Sequence, residues 1–106
     1  MKICMAQINT LVGDIAANAQ RVIDVCLAQT ATGARLIVFP ELTLTGYPPE
    51  DLLLRGDLLT RTERALQQVV VSCPPELMVV VGYPRARGGQ LFNTAGVLRE
   101  GRGVAE

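Results

Sequence analysis

Short apolar runs alternate along the chain with segments in which apolar residues recur every three or four positions. The runs at residues 3–8, 36–39 and 77–83 have the length of buried strands. The two segments between them each carry one apolar stripe at helical spacing. The stripe positions are Ile15, Ala19, Val22, Ile23, Cys26 and Leu27 in the first segment, and Leu58, Leu59, Thr62, Leu66, Val69 and Val70 in the second. The pattern predicts a mixed α/β fold.

Residues typical of helix ends flank both stripes. Asp14 precedes the first stripe and is a good N-cap, because its carboxylate can accept hydrogen bonds from the free amides of the first turn. Gly33 can adopt a positive φ and is expected to end that helix. Asp57 is expected to cap the second helix. Two consecutive prolines after Cys73 cannot continue an α-helix, so the second helix should stop there.

Turn signals follow the third strand. Pro84 is expected to break the strand at residues 77–83, since proline has no amide hydrogen for a ladder. The glycine pair within residues 87–89 then predicts a β-hairpin, with residues 90–99 as the returning strand. Residues 100–103 form a second turn signal. We therefore expect one mixed sheet with two helices on one face. The apolar strands imply burial on both faces, so the other face needs a further layer.

Composition narrows the class of protein. The chain has 106 residues, 49% of them hydrophobic, and its ten basic and ten acidic residues cancel. This balance argues against a nucleic-acid or membrane-surface partner. Three cysteines, Cys4, Cys26 and Cys73, have no metal-ligand spacing, and we expect them to be reduced core thiols. With no signal-peptide pattern and no long apolar run, the cytoplasm is the expected compartment.

The candidate chemistry begins with Glu41. This carboxylate follows the strand at residues 36–39 and Pro40, and so stands at the carboxyl end of a buried strand, where α/β sheets bind ligands. We expect its apolar neighbours to desolvate it and favour its neutral form, which suits a general base. From position alone, a solvated loop residue is an equally good interpretation.

The residues around Glu41 resemble a known family. Phe-Pro-Glu-Leu at residues 39–42 and Thr-Gly-Tyr-Pro-Pro-Glu-Asp-Leu-Leu-Leu-Arg at residues 45–55 are similar to the first catalytic segment of the nitrilase, or carbon–nitrogen hydrolase, superfamily. The second segment resembles the glutaminase domain of glutamine-dependent NAD synthetases in particular. Residues 2–9, residues 12–15 and Asn18 resemble the first strand and helix of the same domain, and the resemblance extends over essentially all 106 residues.

This resemblance implies a partial α-β-β-α sandwich, with residues 1–106 as the incomplete N-terminal portion of the domain. The superfamily uses a Glu–Lys–Cys constellation, of which only Glu41 has a matching position here. The family lysine and cysteine would lie beyond Glu106. Lys2, the only lysine, does not match, and the three cysteines match no nucleophile motif. We expect no metal site in these residues.

Two further residues have family counterparts. Tyr47 matches a tyrosine that lines the glutamine pocket, although a packing aromatic in a proline-rich loop explains it equally well. Asn93 matches a recurrent position close to the catalytic glutamate, where it would fix the loop by hydrogen bonds. Residues 48–51 are interpreted as the start of a short helix at residues 52–55.

In the complete enzyme, the resemblance implies that glutamine is hydrolysed and that its ammonia amidates nicotinic acid adenine dinucleotide to NAD. ATP and Mg²⁺ would bind only in a synthetase domain outside these residues. We expect this chain alone to be inactive, to require the remainder of the nitrilase domain and the synthetase domain, and to form a homo-oligomer. Two alternatives stay open: a non-catalytic half-domain that acts as an interaction module or pairs with another chain, and a nitrilase-superfamily amidase with another substrate.

Overall fold

The computed structural model describes residues 2–10, 14–46 and 56–106. It contains two helices and five strands in the order β-α-β-α-β-β-β. Their bounds are β1 Lys2–Met5, α1 Ile15–Ala31, β2 Ala34–Val38, α2 Gly56–Ser72, β3 Met78–Arg87, β4 Gln90–Arg99 and β5 Arg102–Ala105. The predicted mixed α/β class and the order of elements are confirmed.

The five strands form one mixed sheet in the order β1-β2-β3-β4-β5. The first three strands are parallel, and β4 and β5 are added antiparallel through hairpins. Parallel neighbours require crossover connections, and α1 and α2 supply them. The two helices pack against each other and bury residues in the same core against the sheet, so both lie on the same face. We call this the helix face and its opposite the open face.

The helix ends follow the sequence signals with one exception. The Asp14 carboxylate accepts a hydrogen bond from the Ala17 amide at 3.3 Å, and Gly33 has a φ of 94° just after the last turn of α1. Helix α2 begins at Gly56, so the prediction that Asp57 is its N-cap is wrong. Asp57 lies in the first turn, where its negative charge still interacts favourably with the free amides of the helix end.

The core lies between the helices and the sheet. Val22 of α1, Val69 of α2 and Ile37 of β2 are fully buried there, with Val79 of β3 1% exposed. The predicted stripes are confirmed except at the C-terminal end of α1, where Leu27 is 50% exposed. Cys26 occupies the inward position of that turn, and its neighbour is therefore rotated toward solvent.

The β3–β4 hairpin forms as predicted, but β3 is longer than expected. Gly88 and Gly89 have φ values of 57° and 78°, as a two-residue turn with a primed geometry requires. The prediction that Pro84 ends the strand is wrong, because β3 continues to Arg87. The register between β2 and β3 stops at Val80, so Pro84 lies where β3 is paired only with β4 and a missing amide hydrogen is tolerated.

The open face carries a second set of apolar side chains. Two rows cross it by strand register, one of Ile3, Leu36 and Met78, and one of Met5, Val38 and Val80. Ile3 is 55% and Met5 72% exposed. The predicted arrangement of one mixed sheet with helices on a single face is thus confirmed. Among the described residues, neither helix is long and apolar enough to cross a membrane.

Candidate functional site

A turn at the carboxyl end of β2 carries Glu41. The Phe39 amide donates to the Val80 carbonyl at 2.9 Å, which extends the pairing with β3 by one residue beyond the strand. Pro40 cannot donate to the next carbonyl, and the chain leaves the sheet there. Residues 40–46, which we call the Glu41 loop, follow as a compact turn. The parallel sheet therefore places a carboxylate at its carboxyl edge, where ligand sites of this architecture form.

Hydrogen bonds within the Glu41 loop hold its shape. The Thr43 hydroxyl donates to the Pro40 carbonyl, and the Thr45 amide donates to the Leu42 carbonyl at 3.2 Å. Leu42 has a φ of 49°, a left-handed conformation that a leucine adopts only when its surroundings require it. Both threonines are buried, so the loop has a polar interior of its own.

The loop is also fixed from outside by two elements. The Asn18 side chain of α1 is fully buried and donates its amide hydrogen to the Leu44 carbonyl at 3.0 Å. The Leu44 amide donates to the Gly82 carbonyl of β3 at 3.2 Å. Leu44 itself is fully buried in the core. These contacts make the backbone around Glu41 part of the rigid scaffold.

Glu41 itself is exposed. The expectation that its apolar neighbours desolvate the carboxylate is therefore wrong for this structure of the 106 residues. Its neighbours Phe39 and Leu42 turn their side chains inward, with exposed fractions of 5% and 8%. The Asn93 side chain of β4 donates a hydrogen bond to Glu41 Oε2 at 3.1 Å. The predicted proximity of Asn93 to Glu41 is thereby confirmed.

Strand register places this pair on the open face. Asn93 is paired with Pro84, and Gly82 with Ala95, so these four positions share one face of the β3–β4 hairpin. The core residues Val79 and Val81 of β3 alternate with them and point to the helices. The carboxylate and its amide partner therefore lie on the side of the sheet that the helices leave uncovered.

The three thiols lie on the other side of the sheet. Cys26 is fully buried, and Cys4 and Cys73 pack against the same core between helices and sheet. A hydrogen bond with Cys73 and burial raise the pKa of the Cys26 thiol, which disfavours its nucleophilic thiolate form. The sheet separates all three cysteines from Glu41. That none of them is the nucleophile stays a prediction.

A second polar cluster lies on the helix side of β3, away from Glu41. Arg85 stands over the Tyr83 ring at 5.3 Å from its centroid and forms an ion pair with Glu106 at 2.6 Å. The Tyr83 hydroxyl donates to the same carboxylate. Burial, followed by this hydrogen bond, raises the pKa of Tyr83 to about 12. With its phenol neutral and its charges paired, the cluster joins β3 to Glu106, the residue that follows β5.

Other predicted positions fall outside the described residues. Tyr47 and residues 48–55 belong to this group. Sequence reasoning also missed the role of two residues that shape the Glu41 loop, Asn18 and Gly82. Asn18 had a detectable signal, since it is an amide within the apolar stripe of α1, between Ile15 and Ala19. A buried amide on such a stripe indicates a specific hydrogen-bond acceptor.

The geometry supplies one half of a proton-transfer site. A carboxylate on a rigid turn, oriented by an amide donor, can accept and return a proton at a fixed point. A nucleophile and an oxyanion donor would have to approach from the open face. The arrangement thus fits a general base whose reaction partners are carried by other parts of a protein.

Comparison with known proteins gives the family. The carbon–nitrogen hydrolase family matches residues 2–105. A glutamine-dependent NAD(+) synthetase of Xanthomonas campestris pv. campestris is 41% identical over 103 residues, which are 96% of this chain and 18% of that protein. The chain therefore spans less than a fifth of the length of this relative.

Solved structures agree in fold. The glutamine-dependent NAD+ synthetase of Acinetobacter baumannii, solved with ADP, superimposes with a TM-score of 0.89 at 34% identity over 97% of this chain and 19% of that one. An amidase from Nesterenkonia sp. superimposes with a TM-score of 0.80 at 22% identity, over 97% of this chain and 40% of that one, which is evidence for the fold alone. From its matched residues and its fold, the chain belongs to the carbon–nitrogen hydrolase family.

Proposed function

We propose that these residues are the N-terminal portion of the glutaminase domain of a glutamine-dependent NAD synthetase, and that Glu41 is its general base. The name shared by relatives at about 40% identity supports this choice over an amidase of another substrate. The complete protein would hydrolyse glutamine and use the ammonia to form NAD. ATP and Mg²⁺ are assigned to a synthetase domain outside these residues.

The observation that carries the proposal is the position of the Glu41 carboxylate. It lies on the open face at the carboxyl end of a parallel strand, on a turn bonded to α1 and β3, with the Asn93 amide on its Oε2 atom. In this role Glu41 takes the proton of an attacking thiol and returns it to the departing ammonia. The thiol and an oxyanion-stabilising lysine are assigned to the remainder of the domain, which would cover the open face.

The same geometry supports a lack of activity in the 106 residues alone. Each of the three cysteines packs on the helix side, so the Glu41 side offers no thiol to attack an amide. The exposed apolar side chains of the open face, Ile3 and Met5 among them, favour self-association when no second layer covers them. We propose that the isolated chain is catalytically silent and oligomeric. The reduced state of its cysteines fits the cytoplasm as compartment.

The decisive experiment replaces Glu41 by Gln in the full-length protein that carries these residues. Glutamine-dependent NAD formation should fall by about a thousandfold, within the range for loss of a general base. Formation of NAD from added ammonium salt should persist, because the proposed role of Glu41 ends when ammonia is released. Glu76→Gln removes an exposed carboxylate elsewhere and is the matched control. Full glutamine-dependent activity in Glu41→Gln would overturn the proposal.

The same assay distinguishes the amidase alternative. A wild-type protein that hydrolyses short aliphatic amides faster than glutamine, and forms no NAD, would favour the alternative substrate.

Tyr47 is proposed to line the glutamine pocket. Tyr47→Ala should then raise KM for glutamine more than it lowers kcat, and an unchanged KM would remove Tyr47 from the proposed pocket.

A further inference from the structure

Strand β3 passes directly beneath the Glu41 loop at Gly82. A Cβ atom built on Gly82 would lie 2.6 Å from the Leu42 amide nitrogen, 2.8 Å from the Pro40 carbonyl oxygen and 3.0 Å from the Glu41 carbonyl carbon. All three are backbone atoms, which cannot rotate away as a side chain can. Glycine is therefore required at this position by the closeness of two backbones.

The other buried glycine of the hairpin has a different environment. A Cβ on Gly96 would meet the Tyr83 side chain, with 2.2 Å to its hydroxyl oxygen, on the helix face. Gly82 and Gly96 are thus both tightly packed, but only Gly82 touches the backbone of the Glu41 loop. The two residues therefore compare a crowded position against the loop backbone with a crowded position against a side chain, on opposite faces of one hairpin.

Gly82 and Asn93 act on Glu41 from the same face. The Gly82 carbonyl accepts the Leu44 amide, and its missing side chain lets the Pro40–Leu42 backbone rest on β3. Two pairs further along the hairpin, Asn93 reaches the carboxylate at 3.1 Å. The height of the loop above β3 therefore determines whether the carboxylate lies within reach of the Asn93 amide.

We propose that Gly82 is a positioning residue for Glu41, setting the height of its backbone above β3 so that Asn93 can orient the carboxylate. This inference rests on the proposed role of Glu41 as general base. To reach ordinary van der Waals distance from a methyl group at Gly82, the loop would have to rise by about 1 Å. A misplacement of this size can lower a rate by about a hundredfold.

The test compares Gly82→Ala with Gly96→Ala in the full-length protein. Thermal unfolding gives the temperature at which both variants are fully folded, and kcat and KM for glutamine are measured there. Gly82→Ala should lower kcat by about a hundredfold with KM changed less than about threefold. Gly96→Ala should keep kcat within about threefold of wild type. Similar kcat values in the two folded variants would overturn the proposal.

Asn93→Ala gives a second test that does not depend on folding of Gly82→Ala, since it adds no atom between β3 and the Glu41 loop. It should lower kcat at least about tenfold at an unchanged unfolding temperature. Asn93→Asp, which has the same shape but sets a carboxylate against Glu41, should lower kcat further. An unchanged kcat in Asn93→Ala would contradict the proposed orientation. Glu41→Gln distinguishes failure of the proposed function from failure of the positioning inference. If Glu41→Gln retains glutaminase activity, the proposed function fails. If Glu41→Gln is inactive while Gly82→Ala and Asn93→Ala keep the wild-type kcat, only the positioning inference fails.

Discussion

Replacement of Asn18 by Ala tests how firmly α1 holds the Glu41 loop. Asn18 is fully buried and donates to the Leu44 carbonyl at 3.0 Å, and Leu44 is itself fully buried. The alanine variant loses a hydrogen bond with a net value of about 1 kcal/mol and leaves a buried carbonyl without this donor, at a cost of about 1–3 kcal/mol. With the lost packing included, we expect the free energy of unfolding to fall by about 2–4 kcal/mol.

Urea unfolding followed by circular dichroism measures this loss, and hydrogen exchange at the Glu41 loop locates it. Gln20→Ala is the matched control, because Gln20 lies on the exposed side of the same helix and donates to the exposed Asp24 carboxylate. The free energy of unfolding of Gln20→Ala should fall by less than about 0.5 kcal/mol. Asn18→Leu restores the side-chain volume but supplies no hydrogen-bond donor for the Leu44 carbonyl. Its free energy of unfolding should still fall by about 1–3 kcal/mol. An Asn18→Ala variant as stable as Gln20→Ala would refute the anchoring argument.

Three further measurements examine the core, the tyrosine cluster and the thiols. In the isolated chain, at protein concentrations low enough to keep it monomeric, Ile37→Ala should lower the free energy of unfolding by about 2–5 kcal/mol. Ile3→Ala on the open face should lower it by less than about 1 kcal/mol, and equal losses would contradict the assignment of faces. Because burial raises the pKa of Tyr83 to about 12, its stabilising contribution is fully present below its ordinary pKa of 10.0 and is lost as pH rises toward about 12. In a Tyr47→Phe variant Tyr83 is the only tyrosine left, so a pH titration of tyrosinate absorbance measures its ionisation. Ionisation near pH 10 in the folded protein would argue against burial of Tyr83. Cys26 should resist alkylation by iodoacetamide in the folded protein, as read by peptide mass mapping, and rapid labelling before unfolding would be inconsistent with its packing.

Local signals in the sequence predict much of the fold because each is satisfied by near neighbours. Asp14 needs only the amide of Ala17 to cap α1, and the two glycines after Arg87 need only their own φ angles to form the turn. The register of hydrophobic residues then follows, since one face of the sheet must meet the helices. These features are fixed within a few residues of the signal.

The features that sequence reasoning missed depend on distant parts of the chain. Pro84 remains in β3 because the partner β2 ends before reaching it, which no pattern around Pro84 reveals. Glu41 is exposed because its carboxylate lies on the open face while its apolar neighbours turn inward. The need for glycine at position 82 arises from a loop some forty residues earlier in the chain. Such contacts become visible only after the strands have been placed in space.

The agreement between chain order and sheet order bears on how the protein is made. Each strand from β2 onward pairs with the strand that precedes it in the sequence. As the polypeptide leaves the ribosome, every new strand therefore finds its partner already present at the growing edge, and folding can proceed from the N-terminus without rearrangement. The Glu41 loop is bonded to β3 first and gains its Asn93 contact only when β4 is synthesised. At that stage the apolar side chains of the open face, Ile3 and Met5 among them, are still exposed.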